Sequence, residues 1–461
     1  MKFLLCCADY FPSVGGVQEV VRQIAEGLVA RGHDVTVATS FFSERSSYTH
    51  NGVLIRDFKI TGNLATGIKG NIEEYRNFVQ NTAWHAILVK AAQQWSFDAL
   101  WPILDKITAR KIFIPCGFSK LRDPSYANYF KALPQVLFKW DHLIFYSDTY
   151  QDIRFVQALN YKNYTVLPNG ASEVEFNCVP DPEFTEGVGI EAEAKVLLTV
   201  GSLTGLKGHL EVLQAFSKVK YSATKLVLIL NGHVHMKPSQ SEHAETRGIF
   251  SRLSNKETHN RLRGSASDLI DLFKRLFGLF CSQPLLFIKS AIKRIFRLGA
   301  VPEGKELEQV LRGLIVSVNQ GTGKRAILVD LDRDQLIQAY LRADLFLFAS
   351  RIECSPLVLY EAAAAGTPFL SVNVGNAEEI ADWTKAGVII KTPVNREGLN
   401  DLCISQFAMK IDELLVQPDL LDSMGVEGRQ RWSNYFSWKT LVTHYEEIMM
   451  GKECTIGNFR H

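Results

Sequence analysis

Apolar residues along the chain fall into two kinds of segment, short unbroken runs and longer stretches spaced like one face of a helix, and the two kinds alternate. Phe3 to Ala8 is a short run, and Pro12-Ser13-Val14-Gly15-Gly16 is a loop. Val17, Val20, Val21, Ile24, Ala25 and Leu28 then recur at helical spacing until Arg31-Gly32-His33 ends the helix, and Val35 to Thr39 is the next strand. Two buried strands joined by a helix form a βαβ unit, which implies a parallel sheet. Further runs at Lys111 to Pro115 and Leu143 to Ser147 predict a first α/β domain over residues 1–175, closing near Pro168-Asn169-Gly170. His33, between helix and strand, reads as structural.

Residues 171–194 are rich in Glu, Pro and Gly without periodicity and read as a linker. The alternation then returns with Val196 to Val200, a loop Gly201 to Gly208, a helix from His209 and a strand Leu226 to Leu230. It continues through Ala326 to Val329, a helix from Asp334, Leu345 to Ala349, a helix from Pro356 and Pro368 to Val372. A second α/β domain over 190–435 is expected, with an insertion at about 237–324.

Charge singles out that insertion. Between Arg261 and Arg297 stand eight basic residues and two acidic ones, a local +6 that leaves −4 on the rest of a chain whose net charge is +2. Leu269, Leu272, Phe273, Leu276, Phe277 and Phe280 recur at helical spacing there, as do Ile288, Ile292, Ile295 and Phe296 after Pro284. Basic amphipathic helices of this kind lie in an anionic membrane interface, and residues 261–297 are read as such a surface, the alternative being a helical hairpin packed on its domain. The longest uncharged stretch, Leu276 to Ile288, is too short to span a bilayer.

Composition narrows the class. Of the 461 residues, 46% are hydrophobic and 22% charged, values that exclude global disorder. Lys and Arg total 51 against 49 Asp and Glu, so no nucleic-acid partner is expected. The eight cysteines form no Cys-x-x-Cys pair and have no His cluster beside them, so no metal site is expected. Scattered thiols, and an N-terminal apolar run that stops at Asp9, point to the cytoplasm, with attachment at the membrane face through the basic insertion.

The chemistry concentrates in Ser350-Arg351-Ile352-Glu353-Cys354-Ser355-Pro356-Leu357-Val358-Leu359-Tyr360-Glu361, followed by Ala362 to Ala365 and Gly366-Thr367-Pro368. It follows an apolar strand, at the sheet edge where open α/β folds bind ligands. Ser355 reads as an N-cap and Pro356 as the first helical residue, which leaves the amides of Leu357 and Val358 free at the positive end of the helix dipole. Such an end favours phosphate or sugar oxygens. Glu361, one turn in, can accept hydrogen bonds from two ribose hydroxyls, and Glu353 can reach the hydroxyls of a second ring. An isolated carboxylate in so apolar a helix is costly without a partner. Gly366 caps the helix and Pro368 stops it.

Here the sequence resembles the family-4 glycosyltransferases of the GT-B fold, two Rossmann-like domains facing across a cleft. Glu353 and Glu361 match that family's pair of glutamates separated by seven residues. Phe11-Pro12-Ser13-Val14-Gly15-Gly16-Val17 looks like its N-terminal glycine loop, and Leu167-Pro168-Asn169-Gly170 like its interdomain segment. Val200-Gly201-Ser202-Leu203 with Lys207-Gly208 looks like its phosphate loop, and Val374-Gly375-Asn376 like its following turn. The resemblance covers nearly the whole chain except the insertion. It implies a nucleotide-sugar donor on the C-terminal domain, a glycan or lipid-linked acceptor on the N-terminal one, and a last helix over 436–461 that packs back on the N-terminal domain.

Carried over residue by residue, the resemblance makes Lys207 neutralise the diphosphate while Gly15 and Gly16 allow close backbone approach. Glu361 holds the ribose and Glu353 the transferred sugar. Glu353 and Lys207 are then the catalytic pair, with Ser202, His209, Ser355, Leu357 and Val358 completing the binding set. Members retain anomeric configuration and generally need no metal. No cofactor is expected beyond the donor as co-substrate. With no covalent nucleophile evident, the departing phosphate is expected to take the acceptor's proton on the front face.

Two positions depart from the family. Ser202 stands where an Arg is usual, and His209 either compensates for the lost charge or simply begins a helix. Cys116, in Ile114-Pro115-Cys116-Gly117, stands where a His-Gly is frequent, and a thiol cannot do a histidine's acid–base work unless its pKa is lowered. These departures support a second class, a degenerate non-catalytic GT-B protein acting as a membrane-attached partner in polysaccharide assembly. Gly321-Thr322-Gly323-Lys324 echoes a phosphate-binding loop but lacks its spacing and reads as a surface turn. His233 and His235 follow a strand end near the expected nucleotide base.

Overall fold

The computed structural model describes residues 1–232, 302–321 and 323–453. The basic stretch 261–297, His233 and His235, and most of the 237–324 insertion lie outside the described residues. The chain divides into two compact units, the first of Met1–Pro180, Glu353–Ile389 and Asp419–His461, the second of Asp181–Ile352 and Ile390–Pro418.

In the Met1–Pro180 segment of the first unit the strands are β1 (Lys2–Cys6), β2 (Asp34–Ser40), β3 (Thr49–His50), β4 (Val53–Phe58), β5 (Ile60–Asn63), β6 (Gly67–Gly70), β7 (Ala86–Lys90), β8 (Arg110–Ile114), β9 (His142–Phe145) and β10 (Tyr164–Val166). Eight of them form one sheet in the order β10-β9-β8-β7-β1-β2-β4-β3, parallel except at β3, while β5 and β6 make a separate antiparallel pair. Phe3 to Cys6 are fully buried because β1 lies mid-sheet with both faces covered, which is why it reads as an unbroken apolar run. Successive residues feed opposite cores, Leu4 and Cys6 with Val89 and Phe113 on one face, Phe3 and Leu5 with Ile24 and Leu28 on the other.

Helix α1 (Gly16–Ala30) presents Val20, Val21, Ile24, Ala25 and Leu28 to that second core. Helix α2 (Gln151–Ala158) follows β9. The stretch read as a linker contains two short helices, Glu173–Phe176 in the first unit and Pro182–Gly187 in the second. Each buries a single phenylalanine, Phe176 or Phe184, too little to leave a periodic trace, and Asp181 caps the second helix through the amide of Glu183 at 2.9 Å.

In the second unit β11 (Lys195–Val200), β12 (Leu226–Asn231), β13 (Lys324–Val329) and β14 (Leu345–Phe348) stand parallel in the order β13-β12-β11-β14. Helix α3 (His209–Lys218) follows β11. The end of the stretch marked as an insertion is helix α4 (Gly304–Asn319), which buries Leu307 and Leu311 and packs on α3 and β13. Asn319 exchanges two hydrogen bonds with the backbone of Ala326, at 3.0 and 2.7 Å, and so fixes α4 to its strand. Lys324 donates to the carbonyls of Phe216, Ser217 and Val219 at the end of α3, a helix-capping role.

Further along the chain come α5 (Leu357–Ala365), β15 (Phe369–Val372), α6 (Ala377–Thr384), β16 (Gly387–Ile390) and, last, α7 (Trp438–Met449). Helix α7 packs on α1 in the first unit, where Arg31 and His33 both reach the carboxylate of Glu446 at 2.6 Å. Its entry requires Gly170. The amide of Ala171 donates to Phe436 O at 3.1 Å, and a Cβ on residue 170 would lie 2.1 Å from that carbonyl and 2.6 Å from Leu441 Cδ1. Gly170→Ala is expected to destabilise the chain by about 1–3 kcal/mol through overpacking against backbone that cannot yield. Urea unfolding should show a lower midpoint at unchanged m-value. Among the described residues no helix is long and apolar enough to cross a membrane.

Candidate active site

The loop from β14 to α5 carries the two glutamates. Ser355 is not the N-cap: helix α5 starts at Leu357 with Pro356 as cap residue, at φ −71° and ψ 117°. Proline fixes φ but leaves ψ free, and Asn169 Nδ2 donates to Ser355 O at 3.3 Å, which holds residue 355 outside the helix. The amides of Leu357 and Val358 are the first of α5 and have no carbonyl within it to bond. They lie at the positive end of its dipole. Glu361 stands one turn in and is only 7% exposed, between fully buried Tyr360 and Ala362. At the far end Gly366 adopts φ +74°, and the amide of Thr367 donates to Ala362 O at 2.9 Å, a left-handed cap. Glu353 sits on the loop and is partly exposed.

Three consecutive carbonyls of this loop are held by donors distant in sequence. Tyr150 Oη donates to Glu353 O at 2.8 Å, the amide of Asn376 to Cys354 O at 3.0 Å, and Asn169 to Ser355 O. Gly375 must be glycine, because its φ is +56° and a Cβ would lie 2.5 Å from Cys354 O. Asn376 Nδ2 in turn donates to Tyr146 O at 2.8 Å. The carboxylate of Glu379 on α6 accepts from Ser147 Oγ and from the amide of Asp148, and burial pushes its pKa up.

Cys116 and Gly117, after β8, both have positive φ, +57° and +91°. A Cβ on residue 117 would meet Tyr150 Cε1 at 2.8 Å and Cys354 Sγ at 2.9 Å. The amide of Gly117 donates to buried Asp152 at 2.7 Å, and burial pushes that carboxyl up to about 6. Burial likewise pushes the Cys354 thiol well up. At the end of β7 buried Lys90 donates to Tyr146 Oη. Gly15 precedes α1 in extended backbone, and the ideal Cβ position of Gly16 lies 4.0 Å from Leu357 Cδ1, so the first unit brings the glycine loop to the start of α5.

The second unit holds the other predicted loop. Between β11 and α3, the amide of Gly201 donates to Asn231 O at 3.1 Å. Gly208 caps α3 at φ +80°, and a Cβ there would lie 2.2 Å from Ala349 O, so no other residue fits. That fixes the backbone on which partly exposed Lys207 stands. The amide of Arg351 donates to Leu206 O at 2.8 Å, with Ser350 Oγ on the same carbonyl at 3.2 Å. His209 begins α3 and is 2% exposed, with Nε2 3.0 Å from Asn231 O. Burial first, then the charge of Lys207, pushes its pKa down to about 4, so it is neutral at pH 7. A neutral imidazole adds no positive charge beside Ser202, and His209 begins α3, as the other alternative has it.

Sequence reasoning missed Ser147, Tyr150, Asp152 and Glu379. None belongs to a local pattern; each acts on partners far along the chain. Among the described residues no cluster of His, Cys, Asp and Glu is arranged to hold a metal ion.

Residues 323–431 match the family described as glycosyl transferases group 1, a segment that includes Glu353, Ser355, Leu357, Val358 and Glu361. The GDP-mannose-dependent alpha-(1-6)-phosphatidylinositol monomannoside mannosyltransferase of Mycobacterium tuberculosis is 26% identical over 127 residues, 26% of this chain. That alignment spans 31% of the relative, about a third of its length. Among solved structures, sucrose-phosphate synthase from Thermosynechococcus elongatus superposes with a TM-score of 0.64 at 16% identity, covering 97% of this chain and 98% of that one. The Anabaena protein Alr3699/HepE in complex with UDP gives 0.62 at 13% identity, covering 98% and 100%.

Proposed function

We propose that this chain, which has the GT-B fold and carries a group 1 glycosyl transferase segment, moves a sugar from a nucleotide-diphosphate sugar to a glycan or lipid-linked acceptor. The observation that carries this reading is the placement of Glu353 on the loop and Glu361 one turn into α5, either side of two amides without a helical acceptor. Glu361 accepts the ribose hydroxyls, Glu353 the hydroxyls of the transferred sugar, and the amides of Leu357 and Val358 face phosphate or sugar oxygens. Lys207 neutralises the diphosphate, and Gly15 and Gly16 admit it close to the backbone. Transfer retains configuration without a metal: the bond from the anomeric carbon to the phosphate oxygen breaks and the acceptor oxygen bonds on the same face. The acceptor's proton passes to the departing phosphate. The relatives support the donor class, one named for GDP-mannose dependence and one in complex with UDP. The setting is cell-surface polysaccharide or glycolipid synthesis, with residues 261–297 at an anionic membrane face.

Calorimetric titration with UDP-, GDP- and ADP-sugars in EDTA tests the reading. One donor should bind saturably, and NMR of its transfer product should show the donor's anomeric configuration. An inverted product sinks the retaining mechanism, and silence across the panel sinks the donor site. A second reading, the degenerate membrane-attached partner, is favoured by neutral His209, which leaves the charge missing at Ser202 unrestored. It predicts that silence.

A further inference from the structure

We infer that Tyr150 is a positioning residue for the sugar-holding loop: by holding the carbonyl of Glu353 it sets the direction in which the Glu353 carboxylate leaves the backbone. The inference rests on the reading of Glu353 as the group that holds the transferred sugar.

The geometry supports Tyr150 from three sides. Its own amide donates to Ser147 Oγ at 2.9 Å, as does the amide of Thr149 at 3.0 Å, so the turn before α2 is closed on one hydroxyl. That hydroxyl donates in turn to Glu379, which fixes the turn to α6. The ring edge lies against Gly117, where a Cβ would come within 2.8 Å, so no side chain intervenes between the Cys116 turn and the phenol. Burial pushes the phenol's pKa up, and it remains a hydroxyl donor at any working pH. The oxygen then reaches Glu353 O at 2.8 Å. Asn376 and Asn169 hold the next two carbonyls, and the phenol holds the first of the three, on the residue that carries the sugar-holding carboxylate.

Such a bond is modest in the ground state, yet a catalytic group displaced by about 1 Å loses up to about a hundredfold in rate. Tyr150→Phe removes one oxygen and keeps the ring. For the donor that the wild type uses among UDP-, GDP- and ADP-sugars, kcat should fall between about tenfold and a hundredfold. Affinity for the matching nucleoside diphosphate, which lacks the sugar, should stay unchanged. A merely structural role would weaken both together. Hydrogen exchange of the amides of residues 353–355, 357 and 358, read on the folded fraction, should quicken in the variant and so report the loop even where yield suffers. Unchanged kcat with unchanged exchange overturns the inference, as does an equal loss of nucleoside diphosphate affinity. If the wild type binds no donor, the reading of the site itself fails, and Tyr150 fails with it.

Discussion

Lys207→Ala is expected to lower kcat for sugar transfer by about 10²- to 10³-fold, the cost of removing one group aimed at charge that develops in the transition state. Lys207 is the only charged residue between Gly201 and His209, and His209 stays neutral. No other cation in that loop takes over when the diphosphate departs. The position is rigid rather than adaptable, since Gly208 lies against Ala349 O and Leu206 O receives the amide of Arg351. Negative charge on the leaving group is greatest at the transition state, so kcat should fall more than KM rises. Lys207→Arg keeps the charge on a larger head and should recover part of the loss. Steady-state kinetics beside a thermal melt check this, and a full rate in the Ala variant would remove Lys207 from the catalytic set.

Glu361→Ala is expected to weaken binding of the nucleoside diphosphate by at least about a hundredfold. Two ribose hydroxyls donating to one carboxylate make two hydrogen bonds to a charged group, each about 1.5–3 kcal/mol, and the sum is about 3 kcal/mol or more. The carboxylate already stands in a buried position on α5, so little has to be ordered when the ribose arrives. Glu361→Gln keeps the shape and one acceptor oxygen and should fall between. Titration calorimetry on both variants, with thermal midpoints to separate folding from binding, decides the matter. Unaltered affinity would remove the ribose from Glu361.

Both predictions rest on parts of the chain that are legible in the sequence. The unit β1–loop–α1–β2 is readable because a mid-sheet strand must be apolar throughout while a helix on its face shows only one stripe. The stretch 350–368 is readable because a Gly cap and a Pro stop bracket a helix that contains an otherwise costly carboxylate. What stayed hidden depends on distant partners. Tyr150 meets Glu353 across 203 positions, and Ser147 meets Glu379 across 232. No window along the chain contains such a pair. His209 looked electropositive beside Lys207-Gly208, but its protonation is set by burial against Asn231, the end of another strand. Ser355 has the chemistry of a cap, yet the contact with Asn169 puts the start of the helix one residue further on.

The three held carbonyls also bear on recombination between relatives. The segment that matches the group 1 family, 323–431, looks like a cassette that could be exchanged to change donor preference. Of the donors that hold its loop only Asn376 lies inside that segment; Tyr150 and Asn169 belong to the other part of the chain. A transplanted cassette therefore arrives with two of three backbone anchors supplied by its host. Chimeras should keep activity where the host presents a phenol and an amide at those two places, and lose it where it does not, however well the cassette itself is chosen.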